Sequence, residues 1–386
     1  MSRSSRALAS QVLERAGIQV NGPRPWDIHI SDERFYDRVL RDGNLGLGES
    51  YMDGWWTVGD LAEFICRLMK VDAEAIVRSN PRTLAYLAAA RLVNFGSAHK
   101  AFEVAERHYN LGGDLFEAML DSRMAYSCGY WEHARTLEEA QEHKLDMVCR
   151  KVGLQPGMTV LEIGCGWGSF MKFAAERYGV RCVGISVSEE QTRLGRERCA
   201  GLPIEFRVQD YRAVEGRYDR VVSIAMFEQV GPKNMRTFFE TVRRALVDDG
   251  LFLLHTLGLN LSTHRGDPFN DKYIFPNGHV PSIKQLGEAT ETLFVMEDWH
   301  NFGADYDRTV HAWHDNFRNA WPQLSKKYDE RFYRMWTYYL LSCAGVIRSR
   351  HMQVWHIVFS KTGVPGGYRR VPSTIVEPTS AVRALS

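Results

Sequence analysis

A chain of 386 residues is long enough for one large domain or two unequal ones with an ample buried core. Hydrophobic residues at 45%, charged residues at 25% and a mean hydropathy of −0.31 exclude a disordered chain and fit a soluble globular protein. A formal net charge of +1 excludes a global basic field for nucleic acid, so affinity for a membrane has to come from a local patch.

In chain order, "SRALASQVLERAG" predicts an amphipathic helix that ends at Gly17, and Ser31 is placed to cap a helix through "DERFYDRVL". Glycines at 43, 46, 48 and 54 predict repeated helix breaks, with Tyr51, Trp55 and Trp56 grouped among and behind them. Two readings of those aromatics stand: the core of a small helical domain, or a surface that touches lipid. Residues 72–94 carry Arg78, Arg82 and Arg91 among apolar residues, which suits either a face on anionic lipid or a solvated helix. Residues 96–108 turn polar and basic and read as a linker, which sets off residues 1–95 as a smaller, mainly helical N-terminal lipid-docking domain.

Beyond residue 145 strands and helices alternate: "MTVLEIG", "VRCVGIS", "IEFRVQD", "YDRVVSIAMF" and "GLFLLHTLG" are separated by helical stretches. That alternation predicts an α/β domain, residues 109–363, with a parallel sheet covered by helices on both faces and its ligand at the strand C-terminal ends. Residues 364–386 read as a loose tail. The cysteines at 66, 128, 149, 165, 182, 199 and 343 are scattered, odd in number and form no CxxC pair, which predicts free thiols and no zinc site or disulfide frame. With no apolar leader or spanning run, the expectation is a cytoplasmic protein.

"EIGCGWGSF" follows a strand and opens a helix, the context that makes a glycine loop a ligand loop. A dinucleotide would want G-x-G-x-x-G, but the third position holds Ser169, and Glu162 points a negative charge at the loop where phosphates would sit. S-adenosylmethionine has an ammonium, a sulfonium and no phosphate, so it suits Glu162, Gly164 and Gly166. No carboxylate ends the second strand, leaving Ser186, Val187 and Gln191 to contact a ribose; Asp210 ends the third strand, either to accept from an adenine amino group or to cap a helix.

With "EIGCGWGS", "GISVSEEQ", "MFEQVGPKN", "KYIFPNG" and "EDWHNFGADYD", the sequence resembles the cyclopropane-fatty-acyl-phospholipid synthases. The resemblance also takes in "LGLGESYMDGWW" and "HYNLGGDLFEAMLDSRMAYSCGYW", and so covers nearly the whole chain. It implies a Rossmann-like class I methyltransferase domain with a mostly parallel seven-stranded sheet. It also implies methyl transfer from S-adenosylmethionine to a cis double bond in a membrane phospholipid, then proton loss to close a cyclopropane ring. The resemblance implies that the base is a bound bicarbonate, held at Cys128, Glu228, His255, the backbone of Leu257 and Tyr306; a free-standing Glu228 base is the rival. It marks Tyr126, Ser127, Gly164, Gly166, Ser186, Gln191 and Asp210 for the cofactor. Tyr126, Tyr130, Trp131, Phe227, Phe302 and Tyr306 are candidates to enclose the acyl chain and steady a carbocation. Gln229 departs from the "MFEHVG" common in the family; an amide does not titrate near neutral pH, so Gln229 stays outside the catalytic set. Peripheral docking on the inner face of the cell membrane and a homodimer complete the expectation. Three rivals stand beside it: a methyltransferase that adds a methyl group without closing a ring, a non-catalytic lipid-binding protein, and a nucleotide-linked dehydrogenase.

Overall fold

The computed structural model describes residues 3–71, 113–263 and 266–371. The basic segment at 72–94, the linker at 96–108 and residues 372–386 of the tail lie outside the described residues.

Helix α1 (Arg3–Arg15) stops just before Gly17, as its pattern predicts. Helix α2 (Arg34–Met52) differs from expectation, because only Gly43, at φ 57° and ψ −131°, kinks it. Gly46 and Gly48 stay helical, and their role is close packing: a Cβ on Gly48 would lie 2.3 Å from the Phe269 ring and 2.8 Å from Tyr338. Ser31 does not cap α2; its hydroxyl donates to the Gly54 and Trp55 carbonyls at 3.1 and 2.9 Å, beside the short antiparallel pair β1 (His29–Ile30) and β2 (Trp56–Thr57). Helix α3 (Leu61–Met69) is capped by Asp60, which accepts from the Glu63 amide at 2.9 Å.

After α4 (Gly113–Met119) and α5 (Leu137–Lys151), the strands β3 (Thr159–Ile163), β4 (Arg181–Ser186), β5 (Ile204–Val208), β6 (Tyr218–Ile224) and β7 (Leu246–Leu259) run parallel. Between them lie α6 (Ser169–Tyr178), α7 (Glu189–Arg198) and α8 (Met235–Ala245). Then follow α9 (Pro268–Tyr273), α10 (Ile283–Thr290), β8 (Val295–Asn301), α11 (Ala304–Leu324), α12 (Glu330–Arg348) and β9 (Met352–Ser360). The seven-stranded sheet has the order β5-β4-β3-β6-β7-β9-β8, with β9 antiparallel to both neighbours. Strand order reverses between β3 and β6, which puts the ligand crevice at their carboxyl ends.

Each face of the sheet holds its own apolar cluster, one built on Phe238, Phe239, Phe252 and Phe359, the other on Val160, Phe170, Met171 and Cys182. The third and largest cluster joins the first 71 residues to α4, α11 and α12 through Trp56, Phe64, Trp313 and Trp336. Trp56 is fully buried and donates to Ser50 Oγ at 3.0 Å, so it is core and not a lipid contact. Trp55 is half-buried beneath the guanidinium groups of Arg34 and Arg38, 4.5 and 5.1 Å from its ring. Phe227, considered above for the acyl cavity, packs against Phe238 and Phe239 at 5.0 and 5.4 Å in the core of one sheet face. The start of the tail is fixed rather than loose: Tyr368 donates to the Lys151 carbonyl at 2.8 Å, and Arg370 pairs with Asp298 at 3.3 Å.

Candidate active site

The glycine loop leaves β3 at the switch point. A Cβ on Gly164 would lie 2.4 Å from Met226, whereas Gly166, at φ 51°, has nothing within 4 Å of that position. The loop therefore packs on one side and offers bare backbone on the other. Glu162, one residue from the end of β3, is buried, and its Oε2 has no hydrogen-bond partner among the described residues. Burial pushes its carboxyl well above the usual range, opposed by the charge of Lys144.

Lys144 is a residue that sequence reasoning missed. It sits on α5 with 1% exposure and donates to Ser127 Oγ at 2.9 Å; burial pulls its ammonium down to about 8. Gln141, one turn earlier, donates to the Ser127 carbonyl at 2.8 Å, so α5 fixes the segment that carries Tyr126, Ser127 and Cys128. Tyr126 shares a hydrogen bond of 2.8 Å with the Tyr339 hydroxyl and packs edge-on to Phe116.

At the end of β4, Ser186 Oγ donates to Gln191 Oε1 at 3.2 Å and accepts from the Ser188 amide at 3.1 Å. Val187 is 77% exposed between them. Asp210 accepts from the Arg212 amide and guanidinium, both at 2.8 Å, and caps the short turn at 211–213; this is the capping role left open in the sequence. An exposed pair of this kind is worth about 0–1 kcal/mol, so it does not commit the carboxylate.

The second set of residues stands on β6, β7 and α11. After β6 the chain turns sharply at Ala225, whose φ of 52° is unusual for a residue with a Cβ, and Glu228 follows on a short turn. Glu228 Oε1 accepts from the Leu257 amide at 2.6 Å and from Thr256 Oγ1 at 2.9 Å, while its Oε2 has no partner among the described residues. The Leu257 amide, expected to donate to the anion, is taken by Glu228, because a buried carboxylate needs donors of its own. Burial raises the Glu228 carboxyl. His255 is buried on β7, and its Nδ1 lies 2.9 Å from His356 Nε2 on β9.

Cys128 is buried, with its thiol donating to the Gly129 carbonyl at 3.2 Å; burial pushes that thiol well above its ordinary value and keeps it neutral. Thr309 on α11 uses every valence of its hydroxyl: it accepts from the Gly129 amide at 3.1 Å and Trp131 Nε1 at 2.8 Å, and donates to the Asp305 carbonyl at 2.9 Å. Tyr306 is buried edge-on to Trp313, and its phenol is pushed up first by burial, then by the nearby Cys343, Tyr126, Cys128 and Glu228. Tyr306 thus lies near Cys128, Glu228 and Tyr126, and Phe302 packs edge-on to the His255 ring at a centroid distance of 5.7 Å. Gln229 is exposed, apart from this set.

This neighbourhood combines aromatic rings with titratable groups that burial drives towards their neutral forms. Such surroundings suit an apolar chain and can steady a cation through ring quadrupoles. Phe302 also lines a cleft of about 620 Å³, together with Tyr130, His300 and Asp305 among others. A second cavity of about 420 Å³, lined by Arg217, Arg243, Arg244 and Lys361 among others, lies at the opposite, amino-terminal end of β6 and β7.

The profile of the family described as mycolic acid cyclopropane synthetase matches residues 97–357. The chain is 49% identical over 362 residues to the cyclopropane-fatty-acyl-phospholipid synthase of Escherichia coli (strain K12), covering 94% of each. It is 32% identical over 352 residues to the tuberculostearic acid methyltransferase UfaA1 of Mycobacterium tuberculosis, covering 85% of this chain and 81% of that one. Among solved structures it resembles the mycolic acid cyclopropane synthase CmaA1 complexed with SAH and CTAB, with a TM-score of 0.63, 32% identity, and coverage of 67% of this chain and 98% of that one. Sheet order, glycine loop and these likenesses agree: the chain belongs to the mycolic acid cyclopropane synthetase family and is an S-adenosylmethionine-dependent methyltransferase.

Proposed function

We propose that the enzyme builds cyclopropane rings on cis-unsaturated acyl chains of membrane phospholipids, with S-adenosylmethionine as donor and bicarbonate as proton acceptor. When bound, the donor supplies the methyl group and the bicarbonate takes up the proton released as the ring closes. The residues fit both groups. Glu162 offers an ammonium a buried oxygen with no partner among the described residues, and Gly166 offers bare backbone on the loop that follows. Tyr126, Ser127, Gly164, Ser186, Val187, Gln191 and Asp210 lie on the segments that would border the donor, and Lys144 holds Ser127 in place.

The observation that carries the proposal is the half-satisfied Glu228. One oxygen is pinned by the Leu257 amide and Thr256, and the other is buried with no partner among the described residues. That oxygen is suited to accept from the hydroxyl of a small oxyanion, with His255 and Tyr306 as donors to its other oxygens; Leu257 then acts through Glu228. Cys128, as a neutral thiol, closes the wall without competing as a nucleophile.

The E. coli relative, by its name, acts on phospholipid acyl chains, and no helix among the described residues is long and apolar enough to cross a membrane. Docking on the inner leaflet is part of the proposal, with residues 1–95 as the proposed lipid-facing unit. Two copies on one bilayer would hold each other there by effective concentration, so a homodimer is part of the proposal.

Replacing Glu228 or His255 by Ala tests the anion site. Affinity for S-adenosylmethionine, measured by calorimetry, should stay near the parent value while turnover falls by about a hundredfold or more. Either variant turning over at the parent rate would refute the assignment.

A further inference from the structure

Three histidines stand in one row across the sheet. In the register of β7, β9 and β8, His255 pairs with His356 and His356 pairs with His300, so the three imidazoles sit side by side across three strands. His255 Nδ1 and His356 Nε2 lie 2.9 Å apart, and both residues are buried. Phe302 packs edge-on to both rings, with centroids 5.7 Å from His255 and 4.6 Å from His356. A 2.9 Å contact between two ring nitrogens needs one hydrogen between them, and burial, which holds both imidazoles well below the usual histidine range, favours the neutral pair.

That hydrogen can belong to either ring, and the surroundings discriminate. If His255 Nδ1 carried it, His356 would have to carry its own proton on Nδ1, a buried atom with no partner among the described residues. An orphaned buried N–H is the rarer and costlier defect; an unpaired acceptor lone pair is tolerated more often. In that arrangement His255 would also present a bare lone pair on Nε2, which repels an anion. We propose that His356 is a positioning residue: its Nε2–H donates to His255 Nδ1 and so fixes the tautomer in which His255 Nε2–H donates to the bound oxyanion. This inference deepens the bicarbonate reading and rests on it. His300, third in the row, lines the cleft behind Phe302 and is outside the hydrogen bond.

The test has two arms on the full-length enzyme. The first labels the histidines with ¹⁵N and reads the ring shifts in the parent protein. The assignment expects His255 with an unprotonated Nδ1 and a protonated Nε2; a protonated Nδ1 overturns it, whatever the activity. The second arm measures methyl incorporation into vesicles of unsaturated phospholipid across a range of added bicarbonate, for the parent, His356→Leu and His356→Gln. Leu removes the donor, so the half-saturating bicarbonate concentration should rise at least about tenfold, with affinity for S-adenosylmethionine unchanged by calorimetry. Gln restores a donor that does not titrate and should return the requirement to within about threefold of the parent. An unchanged bicarbonate requirement in His356→Leu sinks the assignment. Should His356→Leu fail to fold, the ¹⁵N spectrum of the parent and the Gln variant still decide it. A parent enzyme indifferent to bicarbonate would refute the anion site instead, and the tautomer would then be judged by the spectrum alone.

Discussion

Glu162 and Glu228 are both buried carboxyls raised by desolvation, yet their partners differ. Glu228 has two donors on one oxygen, whereas among the described residues Glu162 has only the through-space charge of Lys144. An ammonium arriving at Glu162 would favour its carboxylate, so binding of the donor should expel a proton. The sign follows: the free carboxyl holds its proton to higher pH than the ordinary 4.5, so affinity should climb with pH across that interval and level off above it. Calorimetry in buffers of different ionisation enthalpy should detect the released proton. Glu162→Gln should abolish that release and weaken binding by about ten- to a hundredfold, as for a lost hydrogen bond to a charged group; equal proton release in the variant would assign the proton elsewhere. Glu162 was legible because an acid two places before a glycine loop has a chemical reason. Lys144 was not: within "LEEAQEHKLDMVCRK" it reads as one more solvated charge, and only the packing of α5 against the Ser127 segment buries it.

Helix α11 serves the site as a clamp. It places Tyr306 edge-on to Trp313, and one turn on it sets Thr309 between the Gly129 amide and the Trp131 indole. Thr309→Val keeps the shape and removes the acceptor from two buried donors, at about 1–3 kcal/mol each. The unfolding midpoint in guanidinium should fall accordingly, and turnover should fall further than donor affinity because Cys128 rides on the same loop. An unchanged midpoint would show that the loop holds without the clamp. Strands β3 to β7 were legible from their apolar runs, which parallel buried strands display. The close packing of Gly48 was not, because its neighbour Phe269 is more than 200 positions away in the chain. Thr309 gave no signal either, since its partners are brought to it only by the folded loop.

Over the whole molecule, the first 71 residues and the last helices share one core, and this divides the aromatic cluster at 51–56 by function. Trp56→Ser should cost about 3–5 kcal/mol of stability, as truncation of a buried tryptophan does, with vesicle affinity of the folded fraction unchanged. The apolar surface at the ligand end lies elsewhere: Leu261 is 79% exposed just past β7, and Ile283 is 53% exposed beside it, where Ser262 and Ser282 share a hydrogen bond of 2.7 Å. Changing both to Asp should reduce sedimentation with anionic vesicles while leaving the melting temperature near the parent value; full retention of binding would remove this rim from the docking surface. The central claim is ring closure in a cavity that holds a donor on one side and a small oxyanion on the other. Its most direct measurement is incubation with methyl-labelled S-adenosylmethionine and vesicles of cis-unsaturated phospholipid, with bicarbonate present or stripped out, followed by NMR of the extracted acyl chains. The account predicts the label in a cyclopropane methylene at the former double bond and a rate that collapses without bicarbonate. Label in an open-chain methyl or methylene branch, or a rate indifferent to bicarbonate, would contradict it.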